Sequence, residues 1–169
     1  MKATIGFIAL CALTGCKPAA QSQSADAQCA ARLAIFDTLD FDVYSSQKWD
    51  RLGESHAADI VVSWPDGHET TGIAKHIEDL KEMFVFAPNN NVADHPIRMC
   101  SGDYTAVTGT MTGTFSRPMP ISGGKTIPPT GKSFRLPMAT IAHWKGTTMD
   151  HEWLFWDNQA FIQQIGLAH

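Results

Sequence analysis

Residues Tyr104 to Phe115 read Tyr-Thr-Ala-Val-Thr-Gly-Thr-Met-Thr-Gly-Thr-Phe, an order that suits a strand and no helix. Val107, Gly109, Met111, Gly113 and Phe115 share one parity, and Thr108, Thr110, Thr112 and Thr114 share the other. That is the period-two pattern of a strand with one apolar face. Such a strand needs partners along its edges and cover over its apolar face. The two glycines on that face predict a bend or the close approach of a helix.

The partners follow in the sequence. Pro96 to Cys100 is a short strand, and Phe134 to Lys145 and Thr148 to Asp157 form a hairpin around Lys145-Gly146-Thr147. Asp59 to Trp64 is a further strand, closed by the turn residues Pro65-Asp66-Gly67. Ser116 to Lys132, rich in Pro and Gly, is expected to be a long rim or lid without strands.

Helical spacing lies mostly before these strands. Leu33, Phe36, Leu39 and Val43 place an amphipathic helix over Ala27 to Ser45, and Gln47 to His56 suits a second, short one. Ile73, Ile77, Leu80 and Phe84 mark a third helix, which Pro88 stops, and Asn158 to Ile165 is a short terminal piece. Helices gathered before a run of strands predict an α+β domain: a curved antiparallel sheet packed on about three helices, with a pocket between the layers.

The N-terminus stands apart. Lys2, then the apolar run Ala3 to Leu13, reads as a secretory signal peptide too short to span a bilayer. It ends at Leu13-Thr14-Gly15-Cys16, which resembles a bacterial lipobox with Cys16 as the lipidated first mature residue. The expected organisation is residues 1–15 signal peptide, 16–27 lipidated cysteine and flexible tether, and 28–169 the folded domain. The resemblance implies export and membrane anchoring through lipid on the periplasmic face. Lys17, where Asp would favour inner-membrane retention, points to the outer membrane if the host has one. With Cys11 removed and Cys16 lipidated, Cys29 and Cys100 are left either as a disulfide or as two buried thiols.

The chain has 169 residues, 13 Lys+Arg against 17 Asp+Glu and a formal net charge of −4, with no basic cluster. A nucleic-acid partner is excluded on that ground, because phosphate neutralisation needs clustered cations. At this length a single domain can bury a core without staples.

Four segments carry a family resemblance: WPDGHETTG at Trp64 to Gly72, TGTMTGTFSRPM at Thr108 to Met119, PTGKSFRLPMATIAHWKG at Pro129 to Gly146, and EWLFWDNQAFIQQIGL at Glu152 to Leu167. Together with the element order they resemble the SnoaL-like polyketide cyclases, or ester cyclases, of the nuclear-transport-factor-2-like superfamily. The resemblance covers about residues 30–167. It implies a cone-shaped, cystatin-like α+β barrel with a deep pocket, often as a homodimer, with no metal and no organic cofactor. It also implies acid/base ring closure on a polyketide-like carbonyl compound by an Asp.

Asp157 follows Trp153-Leu154-Phe155-Trp156 near the end of the last strand, and so matches the family's catalytic Asp. Among aromatic rings its carboxyl would be desolvated and poised for proton transfer. The same residue precedes the terminal helix, where it would instead be an N-cap. His151, Trp153, Phe155 and Asp157 share a parity, so His151, and His143 on the partner strand, are candidate polar partners if that face lines the pocket. Each histidine is otherwise an ordinary strand residue. Glu152, on the opposite parity, is expected in a salt bridge or a dimer face. Trp64, Phe84, Phe86, Met111 and Trp153, with Phe155 on the same strand face, are candidate ligand-binding walls or plain core. The histidines, His56 and His76 included, show no metal-ligand spacing, and no metal is expected. Two functions remain open: an acid/base enzyme on an apolar carbonyl compound, or a lipid-anchored carrier of a hydrophobic small molecule. An envelope protein that joins a partner through its sheet face is a third.

Overall fold

The computed structural model describes residues 19–168. Helix α1 (Ala19–Thr38) runs directly into a π-helical turn (Leu39–Tyr44), and a 3-10 turn (Trp49–Glu54) follows. Next come β1 (His56–Ser63), β2 (Glu69–Thr71), α2 (Ile73–Phe86), β3 (Asn91–Val92), β4 (Arg98–Ser101) and β5 (Tyr104–Thr114). The chain then forms β6 (Met119–Ile121), β7 (Lys125–Ile127), β8 (Ser133–Lys145), β9 (Thr148–Trp156) and α3 (Asn158–Gln164). The expected lipidation site, Cys16, lies outside the described residues. Among the described residues no helix is long and apolar enough to cross a membrane.

Seven strands form one sheet in the order β2-β1-β9-β8-β5-β3, and β4 also pairs with β5. The α+β architecture matches expectation. β5 and β8 pair in unbroken register from Tyr104↔His143 to Thr114↔Ser133, and the alternating burial of β5 puts Val107, Gly109, Met111 and Gly113 inside.

Three details differ from the sequence reading. β1 runs parallel to β9, so the sheet is mixed; these strands are far apart in sequence and no hairpin turn fixes their sense. Residues 116–132 contain a two-stranded ribbon, β6–β7, turned at Gly123 (φ +76°) and Gly124 (φ +69°). Pro120 is tolerated there because the ribbon stands outside the main sheet. The region expected to be a tether is helical from Ala19, since an Ala- and Gln-rich run with no Gly or Pro after Pro18 favours helix.

The two strand glycines serve close approach, though not by a helix. A Cβ at Gly113 would lie 2.6 Å from Phe134 Cζ, whose ring covers that site from the paired strand. At Gly109 it would lie 3.2 Å from Val92 Cγ1 and 3.3 Å from the Asp94 carbonyl oxygen.

α1 is fastened to the sheet by polar and covalent ties as well as by apolar packing of Phe36 on Trp144. Buried Arg32 donates to the carbonyls of Gly102 (2.7 Å) and Gly146 (3.2 Å) and to Asp103 Oδ1 (2.9 Å). It therefore clamps the β4–β5 and β8–β9 turns together. Cys29 on α1 is disulfide-bonded to Cys100 on β4, 71 residues away. Closing a loop of this size stabilises a fold by about 4 kcal/mol in the chain-entropy account. Replacing both cysteines with serine should lower the melting temperature by about 10 °C, measured by circular dichroism. An unchanged melting temperature would show that the crosslink adds nothing to the fold.

Candidate active site

Between the sheet and α2, the π turn and α3 lies a cavity of about 300 Å³. Its wall is largely apolar: Leu39, Trp64, Leu80, Met83, Phe86, Met111, Leu154, Trp156 and Phe161 all contribute. Such a lining and size suit a small apolar molecule.

Five elements supply the polar part of the wall, β8 through Thr140. Glu152 points inward from β9, His56 from the start of β1 and His76 from α2; all three are buried and line the cavity. Glu152 Oε2 is 3.4 Å from His76 Nε2 and 3.6 Å from His56 Nε2. The histidine rings lie 5.1 Å apart, and Trp64 packs against His76 at 5.8 Å. His56 is oriented by its own turn, with Nδ1 3.3 Å from the Leu52 carbonyl and 2.9 Å from Ser55 Oγ. Asp40 and Tyr44 enter from the π turn, a local widening that often marks functional positions.

Burial would raise the Glu152 carboxyl, but the surrounding His56, His76 and His151 outweigh it and hold the group below the usual value, ionised at neutral pH. Burial, reinforced by His56, pushes His76 down to about 4, leaving a neutral imidazole beside that carboxylate. Burial and the charge of Asp40 move Tyr44 upward, so its hydroxyl stays protonated. The cavity thus presents one buried carboxylate flanked by a neutral imidazole, an arrangement able to take a proton from carbon and share it.

The same three side chains can be weighed as metal ligands, since their donor atoms lie within 4.8 Å of one another. A ligating histidine normally donates its other ring N–H to an oriented acceptor. His56 has such a partner, whereas His76 Nδ1 is buried without one. On that ground His56 fits a ligand's role and His76 does not, and Nε2 of His56 is likewise buried without a hydrogen-bond partner.

The residues expected to be catalytic lie elsewhere. Asp157 caps α3, its Oδ1 accepting from the Ala160 N–H at 2.9 Å, and borders a separate open depression with Pro65, Pro137 and Phe155. His151 stacks on Trp153 at 3.7 Å on the outer sheet face and meets Ser63 Oγ at 3.0 Å. His143, also outside, pairs with Asp150 and packs 4.8 Å from Tyr104. Of the expected ligand-binding residues, Trp64, Phe86 and Met111 line the cavity. Phe84 instead packs between Tyr44 and Trp49, and Trp153 and Phe155 face outward.

The cause is a β-bulge. His143 pairs with His151 but Trp144 pairs with Met149, so Asp150 is the extra residue. Met149 therefore faces inward together with Glu152 and Leu154, despite the change of parity. Glu152, expected in a salt bridge or a dimer face, does meet ionisable partners in His56 and His76, but inside the cavity. His56, His76 and Glu152 are widely separated in the sequence, and no spacing rule joins them.

Solved structures give the same fold. One is described as a putative SnoaL-like polyketide cyclase from Jannaschia sp. CCS1; at 19% identity it covers 83% of this chain and 94% of its own, with a TM-score of 0.70. IdmH, a putative polyketide cyclase from Streptomyces antibioticus, is 20% identical over 82% of this chain and 99% of its own, with a TM-score of 0.66. A protein with a ketosteroid isomerase-like fold from Catenulispora acidiphila, bound to trimethylamine, is 17% identical over 81% of this chain and 93% of its own, with a TM-score of 0.63. Sequence comparison with curated proteins gives no match. The family model for SnoaL-like polyketide cyclases matches residues 37–165, most of the folded domain. The chain belongs to the SnoaL-like polyketide cyclase family.

Proposed function

We propose that the chain is an acid/base enzyme of cyclase or isomerase type that acts on a small apolar carbonyl compound, with Glu152 as its general base. The observation that carries this reading is the buried carboxylate held between two histidines in the wall of an apolar cavity. Glu152 takes a proton from the carbon next to a carbonyl, and the electron pair moves onto the carbonyl oxygen as an enolate. In ring closure the enolate carbon attacks a second carbonyl of the same molecule and the resulting alkoxide takes a proton. In isomerisation the proton returns at another carbon. His76 and His56 flank the Glu152 carboxylate, and the apolar wall excludes the water that would quench the enolate. We also propose that Cys16 is lipidated, so that the enzyme works at the membrane surface of an exported compartment.

The reading is tested by incubating the full chain with a small-molecule extract of its host and following each compound by mass spectrometry. Glu152→Gln should slow consumption by at least about 100-fold, the usual worth of a positioned general base. Asp157→Asn should cost at most about 1 kcal/mol of stability through its cap and leave turnover near wild type. Consumption should also survive a chelator. Retention without consumption by wild type and Glu152→Gln alike would make the protein a carrier and refute the enzymatic reading.

The electrostatics of the cluster fix a pH dependence. His76 has an ordinary value of 6.5 and a native value of about 4, so below pH 6.5 the unfolded chain binds a proton that the native chain refuses. Stability should therefore fall as pH drops from 6.5 to about 4, by up to about 3 kcal/mol from this group. His76→Gln should remove that slope in denaturant titrations across the window. An identical slope in the variant would refute the neutral assignment.

Lipidation is checked by intact mass. Wild-type protein from membranes should carry the added mass of a diacylglycerol, and Cys16→Ser should lack it. Masses that differ only by the substitution would refute the anchor.

A further inference from the structure

Asp40 lines the cavity from the π turn, and it is not isolated there. Its Oδ2 lies 2.8 Å from His95 Nε2, and the other ring nitrogen of His95, Nδ1, lies 2.9 Å from Asp37 Oδ1. Asp37 is partly exposed, and its second oxygen accepts from Arg98 at 2.8 Å. The three side chains form a continuous hydrogen-bonded line from the cavity wall to the protein surface. The His95 side chain is 1% exposed, so water does not bypass it.

The fold makes room for this line. His95 lies in the segment between β3 and β4, and the absence of a side chain at Gly109 lets that segment settle on β5. A Cβ at Gly109 would lie 3.6 Å from His95 Cδ2. Phe36 and Phe41 enclose the ring at 5.8 and 4.6 Å, so the line runs through apolar surroundings. The charges that face it are Asp37 and Asp40 from the end of α1 and the π turn and Arg98 from β4, with Glu152 and His56 acting on Asp40 across the cavity.

Carboxylate oxygens accept and do not donate, so a ring nitrogen that faces an ionised Asp must carry a proton. Besides the mirror arrangement with the proton on Asp37, two proton placements satisfy both hydrogen bonds. In one, His95 is an imidazolium between two carboxylates. In the other, Asp40 is the neutral acid, donating to Nε2 of a neutral His95 that still donates from Nδ1 to Asp37. The two differ by one proton moved along a 2.8 Å bond. Burial raises the Asp40 carboxyl, and the carboxylate partners raise His95 against its own burial, so each group holds a proton more readily than it does in water.

We propose that Asp40, His95 and Asp37 form a proton relay that joins the cavity to solvent, with Asp40 as a second acid/base station opposite Glu152. A proton that enters at Asp40 passes to His95 Nε2, while the proton on Nδ1 passes to Asp37 and from there to water. One proton enters, one leaves, and the ring is left with its proton on the other nitrogen. The reverse transfer resets it. In the chemistry proposed above, the base that takes the carbon proton and the acid that protonates the developing oxyanion need not be the same group. The relay draws its purpose from that acid/base reading, but its operation is testable without a substrate.

The test uses the full chain in mild detergent, labelled with 13C and 15N, and follows the Asp40 carboxyl carbon and both His95 nitrogens through a pH titration. In wild type, Asp40 and His95 Nε2 should move together with one shared midpoint. Asp40→Asn should abolish that step at His95. Glu152→Gln should lower the shared midpoint, because it removes a facing negative charge. Asp37→Asn, at a partly exposed site that tolerates change, should slow solvent exchange of the His95 Nε2 proton at least tenfold. A His95 titration identical in wild type and Asp40→Asn would overturn the relay. So would unchanged exchange in Asp37→Asn, or an imidazolium that stays fixed throughout the folded range and so is a structural ion pair only. Failure of the Glu152 reading would appear separately, as unaltered compound consumption in Glu152→Gln.

Discussion

A strand has two faces, and the single extra residue at Asp150 decides which face of β9 looks into the domain. Before the bulge, Met149 fills the core beneath α1; after it, Glu152, Leu154 and Trp156 form the cavity wall. Without the bulge, a strand that buried Met149 would direct His151, Trp153 and Phe155 inward and leave Glu152 outside. The parallel pairing of β1 with β9 has a matching irregularity between His56 and Val61. This irregularity brings His56 and Glu152 to the same side. The site depends on two coordinated departures from regular sheet, both beside Glu152.

The roof of the cavity is fixed just as firmly. The Arg32 clamp and the Cys29–Cys100 crosslink hold α1 over the sheet, and the helix passes without interruption into the wider π turn. Ser45 closes that turn, donating to the Asp40 carbonyl and accepting from the Val92 N–H. Leu39, Asp40 and Tyr44 are thereby set into the cavity from a segment bonded to the far edge of the sheet. An apolar chamber with charged groups in its wall tends to collapse or to admit water. Covalent and buried polar ties on the opposing layer resist the collapse, and aromatic side chains resist the water.

What the sequence made legible follows from which patterns are local. The alternation of Tyr104 to Phe115 defines one strand and its inward face, and Ile73, Ile77, Leu80 and Phe84 define one helix and its stop. Both depend on neighbours along the chain. The inward face of β9 is not local: each parity of Thr148 to Asp157 carries tryptophan, an apolar residue and a titratable one, so hydrophobic pattern alone does not choose. Asp157 is ambiguous in sequence for a related reason, because the end of a strand is also the start of α3, where its side chain caps the helix. His56, His76, Glu152 and Asp40 come from four segments, and only the folded sheet and helices bring them to one cavity, with His95 from a fifth behind Asp40.

The two titratable clusters differ in a way that bears on their division of labour. Glu152 has no hydrogen-bond donor at ideal distance; its histidines stand 3.4 and 3.6 Å away, close enough to stabilise the ionised form but not to occupy its lone pairs. Asp40 is the reverse: its bond to His95 is short and aligned, and its burial favours the neutral form. One wall thus carries a carboxyl held in its ionised form, and the facing wall one whose burial favours the protonated form. Two like carboxyls at equal affinity would compete for a single proton. Their different surroundings separate them into a base and an acid within one apolar volume.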